Sequence, residues 1–150
     1  MDIVSFLTTY YILQMVLALV LGSILGAQRE YMGKAAGLRT YALVTFGSAL
    51  FTHLSQAGFA GGEGVQFDPS RVASQVVVGI GFLGAGLIIF RGVHVEGLTT
   101  AAGLWAAAAV GMAVGVGFYG MAISATILVF LTLSVLGLLD IGKMLKHGRD

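Results

Sequence analysis

Three groups of residues in this chain are of types and spacings that could do chemistry. The first is basic and hydroxyl-bearing: Gln28-Arg29-Glu30, Lys34 and Arg39-Thr40, then Arg91, Glu96 and Thr99-Thr100. Arg39-Thr40 and Thr99-Thr100 each stand at the head of a long apolar run, which charge placement alone does not explain. Arg29, Glu30, Lys34, Arg39, Thr40, Arg91, Thr99 and Thr100 are therefore read as one functional cluster. The second group is Asp68-Pro69-Ser70-Arg71 with Gln75 a turn further on. Aspartate suits an N-cap and proline the first helical position, so a helix start is the primary reading. A cation or partner contact through Asp68 is the alternative, with Arg71 as its pairing residue and Gln75 as an interhelical hydrogen bonder. The third is Gly79-Ile-Gly81-Phe-Leu-Gly84, followed by Gly86. It spells a dinucleotide fingerprint, but that motif needs a preceding strand and a downstream acid. Here it lies inside an apolar run, so nucleotide binding is rejected. Gly79, Gly81, Gly84 and Gly86 are read as a surface for close helix packing. A weakened helix with free carbonyls lining a polar cavity is the alternative.

Other candidates are weaker. His53 is the lone histidine of its apolar run and is expected to be hydrogen-bonded packing. No second histidine has metal-pair spacing, so a metal ligand set remains unknown. The chain has no cysteine, which excludes disulfides and thiolate metal sites. No nucleophile–base pair stands at usable spacing, so no enzyme activity, cofactor or nucleic-acid partner is expected. Ser23, Ser48 and Ser74 are expected to make interhelical hydrogen bonds.

The elements that must position these residues follow from where the charges are. Uncharged stretches run over 3–28, 40–62, 72–90 and 97–139. A helix needs about 20 apolar residues to cross the hydrocarbon core. Three stretches fit one crossing each. The last would extend about 65 Å as a single helix, so it must fold back and cross twice. Gly115, Gly117 and Gly120 beside Phe118 and Tyr119 mark the turn. Composition agrees: 57% of residues are hydrophobic, only 10% are charged, and the mean hydropathy is +0.94. A soluble domain carries about 25% charged residues.

The expectation is an all-α membrane bundle of five transmembrane helices in one domain over residues 1–150. The helices are placed at Phe6–Gly26, Tyr41–Phe59, Val72–Phe90, Leu98–Val116 and Met121–Leu139. Gly22-x-x-x-Gly26 and Gly111-x-x-x-Gly115 are helix-contact motifs. Phe6–Gly26 lacks a basic leader and is read as a retained span rather than a signal peptide. With five spans, seven of the eight basic residues fall on one side and Arg71 alone on the other. The positive-inside rule then puts the N-terminus outside and the C-terminus in the cytoplasm.

These blocks together resemble the MgtC/SapB family of bacterial inner-membrane proteins. The resemblance rests on Arg29-Glu30 with Lys34, AGLRT at Ala36–Thr40, Asp68-x-x-Arg71 leading to Gln75, GIGFLGAG at Gly79–Gly86, Arg91, and GLTTAAGLW at Gly97–Trp105. It covers about Gly22 to Tyr119. It implies a multi-pass inner-membrane protein tied to magnesium homeostasis, in a family associated with virulence and growth at low magnesium. It also implies a membrane partner, the ATP synthase for some members, besides lipid and a homo-oligomer. Three departures stand out. Gln28 replaces a usual acid, Tyr41 replaces a frequent histidine, and the chain stops at Asp150, where longer members continue into a cytoplasmic domain of ACT type.

Transport and regulation make different demands. Ion-coupled transporters usually keep an ionisable group near the bilayer midplane. No acid lies within any of the five expected spans. Magnesium wants octahedral oxygen ligands, usually including carboxylates. A membrane-embedded regulator or partner-binding protein is therefore favoured, with a magnesium transporter or channel as the alternative. Any bound Mg2+ would be an association rather than a resident cofactor.

Overall fold

The fold is taken from a computed structural model, which describes residues 3–57, 68 and 70–136. These form five α-helices and one short hairpin. Helix α1 is Ile3–Tyr31, α2 Leu38–Ala57 and α3 Ser70–Ala85. Strands β1 (Ile89–Arg91) and β2 (His94–Glu96) pair antiparallel. Helix α4 is Leu98–Gly115 and α5 Tyr119–Leu131, the latter continued by a π-helical turn over Thr132–Leu136. The all-α bundle is thus present. Asp2, Glu63, Pro69 and the charged tail from Asp140 lie outside the described residues.

Successive helices alternate in direction. The end of α1 at Gly26 meets the start of α2 at Leu38, and Gly84 near the end of α3 meets Ala101 in the first turn of α4. Gln28 near the end of α1 reaches Leu133 beyond α5, while Gln14 reaches Tyr119 at the start of α5. One end of the bundle therefore gathers the last turns of α1, α3 and α5, the first turns of α2 and α4, and the hairpin. Among the described residues, three helical stretches are long and apolar enough to cross a membrane: Thr9–Tyr31, Leu98–Gly115 and Tyr119–Leu136. At 16 residues, α3 is shorter, about 24 Å at 1.5 Å per residue.

Small residues decide how closely the helices pack. A Cβ added at Gly22 would lie 2.7 Å from the Tyr41 carbonyl, and one at Gly26 would lie 2.6 Å from the Leu38 Cα. Both would strike the α2 backbone, so these glycines set the α1–α2 spacing. On α4, a Cβ at Gly115 would lie 2.7 Å from the Thr52 Cβ, and one at Gly111 would press on the Thr45 carbonyl. The two contact motifs do what their spacing predicts. The glycines of α3 do not. A Cβ at Gly79 or Gly81 would meet nothing within 4 Å among the described residues, and one at Gly86 would meet only its own turn. Gly84 has ordinary contact with Ala101 at 3.5 Å. The close-packing reading of Gly79, Gly81, Gly84 and Gly86 is corrected for Gly79, Gly81 and Gly86: among the described residues no neighbouring helix stands against them, Gly79 borders the open space between α2 and α3, and only Gly84 is buried, against Ala101. Nor is α3 broken there, since it runs as continuous helix to Ala85.

Helix α4 is the centre of the bundle. Thr100, Gly103, Leu104, Ala107, Ala108, Val110, Gly111, Ala113, Val114 and Gly115 are all buried on it. Hydroxyls within the bundle bond backward along their own helices: Thr45 to the Tyr41 carbonyl, Thr52 to Ser48 and Thr126 to Ala122. Ser74 bonds the Arg71 carbonyl in the same way, not a neighbouring helix as expected. Outward faces carry exposed Leu13, Val20, Leu43, Val78, Phe82 and Leu128, which suits contact with hydrocarbon.

Helix starts lie within three residues of expectation, and two helix ends differ by five residues. The third helix ends at Ala85, not Phe90. Tight turns follow from Gly86 to Ile88, and Ile89, Phe90 and Arg91 enter the hairpin. Gly92, at φ 62°, opens its two-residue turn, the left-handed conformation such hairpins need. The first helix runs five residues past Gly26, to Tyr31, which moves Arg29 from a loop onto the helix.

Candidate functional site

Arg29 is the organising residue. Gly22, Gly26 and Arg29 fall on one face of α1, four and three residues apart. The glycines bring that face against α2, and Arg29 is carried into the bundle with it. Its side chain is only 3% exposed. Nη2 donates to the Thr100 Oγ1 at 3.1 Å, and Nε has no partner among the described residues. Tyr41 is fully buried beside it, its hydroxyl donating to the Thr100 carbonyl at 3.4 Å. Gly103 leaves the space that the Tyr41 hydroxyl occupies. An arginine, a threonine and a tyrosine from α1, α4 and α2 thus close on one point. Among the described residues, the single salt bridge joins Arg91 and Glu96, so no carboxylate neutralises Arg29.

A cavity of about 590 Å³ opens beside this cluster. Arg29, Lys34, Thr99 and Thr100 line its polar part, with Met32 and Leu136 on apolar walls. Gly97 starts α4 at φ 90°, and any side chain there would collide with the Leu87 carbonyl. It offers no side-chain cap to the free amides of the first turn.

The expected cluster is therefore divided. Arg29, Lys34, Thr99 and Thr100 share the cavity. Glu30 does a structural task, its Oε2 accepting the Leu38 amide at 2.8 Å to cap α2. Arg39 and Thr40 are exposed on the first turn of α2 and do not line the cavity. Arg91 is exposed on the hairpin, 3.3 Å from Glu96. Tyr41, central in the structure, was not foreseen; its position four residues before Thr45 on the buried face of α2 was the available signal. Gln28 donates to the Leu133 carbonyl at 3.2 Å and ties the π turn to α1.

The opposite end is polar in another way. Asp68 Oδ1 accepts the Ser70 amide at 2.9 Å and the Ser70 hydroxyl at 2.6 Å, which caps α3. The Ser70 hydroxyl and amide hold the Asp68 carboxyl below its usual value. Arg71 is exposed and makes no ion pair with Asp68; Gln75 is exposed and makes no hydrogen bond among the described residues. Nearby, Gln14 donates to the Tyr119 hydroxyl, which donates to Tyr10 at 2.7 Å. Gln14 and Tyr10 border a cavity of about 320 Å³ with Tyr11, His53 and Gln56. His53 packs edge-on to Tyr11 at 5.1 Å, and its Nε2 has no hydrogen-bond partner among the described residues. Among the described residues, no three His, Asp or Glu side chains are grouped to hold a metal.

Residues 15–140 match the MgtC family. The chain belongs to the MgtC family. It is 42% identical over 144 residues to the YhiD protein of Escherichia coli K12, which carries a provisional name as a magnesium transporter. That match covers 94% of this chain and 67% of YhiD. Protein MgtC of Salmonella typhimurium is 44% identical over 119 residues, 79% of this chain and 49% of the relative. An uncharacterised Haemophilus influenzae protein is 39% identical over 129 residues. The chain thus spans about two thirds of YhiD and half of MgtC. No solved structure matches it. As an MgtC-family membrane protein, it presents a buried guanidinium beside an open cavity, with no carboxylate paired to it among the described residues. That arrangement suits recognition, because the guanidinium and the Thr100 hydroxyl are fixed by packing.

Proposed function

We propose that this protein works in magnesium homeostasis as a membrane-embedded regulator of the bacterial inner membrane, with the Arg29 end of the bundle facing the cytoplasm. The observation that carries this reading is the Arg29–Thr100–Tyr41 convergence beside the 590 Å³ cavity. A buried arginine costs several kcal/mol in desolvation, and such a group is kept where recognition uses it. The alternating helices favour five crossings, and the positive-inside rule favours this orientation. A membrane protein partner, engaged from the cytoplasmic side, is part of the proposal.

Growth at low magnesium tests it. A bacterium lacking its own family member should recover when it expresses this chain. Arg29→Gln and Thr100→Val should lose recovery while the protein accumulates in the membrane at normal level. Full recovery by both variants would overturn the reading.

Magnesium transport is the second reading. The name of YhiD favours it, as does the Gln14–His53 cavity at the other end. Against it stands the absence of any acidic residue between Glu30 and Glu63, or between Glu96 and Asp140. Purified protein in liposomes loaded with a magnesium-sensitive dye decides the matter. Flux above empty vesicles that is lost in Gln14→Leu would establish transport.

A further inference from the structure

The cavity beside Arg29 has the physical make-up of an anion site. Its guanidinium is 3% exposed, has an unpartnered Nε, and faces no carboxylate among the described residues. Burying an uncompensated charge is among the most expensive arrangements a protein can hold. Lys34 adds a second positive charge at the rim. The first turn of α4 adds a third source of positive potential, about half a charge from the helix dipole, with amides free because Gly97 has no capping side chain. Thr99 and Thr100 supply hydroxyls. Among the described residues, no acidic side chain lines the cavity.

We propose that this cavity binds a phosphate group, held between Arg29, Lys34 and the first turn of α4. The fork of a guanidinium matches phosphate oxygens, and a lysine serves as a point charge beside it. Helix N-termini bind the same group through their amides. The volume exceeds what one phosphate fills, and Met32, Leu133 and Leu136 make part of its wall apolar. Such a wall accepts the acyl-bearing part of a lipid headgroup as readily as it leaves room around a free phosphate. The inference rests on the proposed function only in taking this end as the working face. The two fail separately, because binding is read on purified protein and function in growing cells.

Two arms identify the source. In the first, inorganic phosphate is titrated into protein in a zwitterionic detergent and followed by 31P line broadening. In the second, protein from nanodiscs of phosphatidylcholine with phosphatidylglycerol is released for native mass spectrometry. Binding in either arm, weakened about tenfold by Arg29→Gln and several-fold by Lys34→Gln, supports the site and names its source. Lys34 is exposed, so its variant keeps the test valid if Arg29→Gln does not fold. Binding in neither arm, or binding untouched by Lys34→Gln in folded protein, would overturn the proposal. Binding seen only after Asp140→Asn would also overturn it, because the counter-ion would then be the chain's own carboxylate.

Discussion

Replacing Gly26 and Gly79 by alanine should move stability in opposite directions. Both are helical glycines in glycine-rich stretches, and nothing in the sequence separates them. At Gly26 the new Cβ would lie 2.6 Å from the Leu38 Cα, 2.8 Å from the Gly37 carbonyl and 2.9 Å from the Tyr41 Cβ. Ordinary carbon contacts are about 3.5–4.0 Å, so the start of α2 must retreat by about 1 Å. Two of the three colliding atoms are backbone, and neither can rotate away. Overpacking of this kind costs about 1–3 kcal/mol, against which alanine regains about 1 kcal/mol of helix propensity. The net expectation is a loss of up to about 2 kcal/mol. At Gly79 a Cβ meets nothing within 4 Å, so only the propensity gain remains, about 0.5–1 kcal/mol. The variants should differ by up to about 3 kcal/mol. For a chain of this length that is up to about 12 °C in melting midpoint. Thermal unfolding in one detergent, followed by helical circular dichroism, measures it. Equal shifts, or greater damage at Gly79, would refute the packing argument.

Other expectations are briefer. Gly97→Ala combines a left-handed backbone at φ 90° with a collision against the Leu87 carbonyl, and should cost about 3 kcal/mol, read as loss of folded protein in the same melts. Glu96→Gln breaks an ion pair whose partners are 69% and 58% exposed, and should shift stability by less than about 0.5 kcal/mol. Glu30→Ala removes the acceptor for the Leu38 amide and should cost about 1 kcal/mol, with faster amide exchange at the start of α2. Asp68 titrates below its usual value in the folded chain, so its cap is intact at neutral pH. Its contribution should fall away as the pH drops below about 4, the unfolded carboxyl value, seen as lost amide protection at 70–72 after correction for intrinsic exchange.

The five helices were legible because charges mark their ends, and a 3.6-residue repeat was not needed to find them. The fold-back near Gly117 was legible too: that residue has φ 81°, beside Phe118 and Tyr119. The hairpin was not, because Ile88, Ile89 and Phe90 extend the apolar run without a break, and only the backbone of Gly92 and Gly97 ends it. The glycines of α3 misled because a motif reports that a helix can be approached, not that a neighbour is there. Gly111 has Thr45 against it and Gly79 has open space. In the candidate site, Arg29, Lys34, Thr99 and Thr100 were found from charge and position. Arg39, Thr40 and Arg91 were grouped with them on sequence proximity to helix starts, which does not fix the direction of a side chain. Tyr41 was hidden because an aromatic in an apolar run carries no mark of its hydroxyl's partner.

The functional reading stands on the Arg29 cavity opening to the cytoplasm. The chain has no native cysteine, so single cysteines report its sidedness cleanly. Thr99→Cys marks the Arg29 end and Gln56→Cys the opposite end; both positions are exposed. A membrane-impermeant maleimide should label Gln56→Cys in intact spheroplasts and Thr99→Cys only in inverted vesicles. Labelling of Thr99→Cys from outside intact spheroplasts would contradict the account.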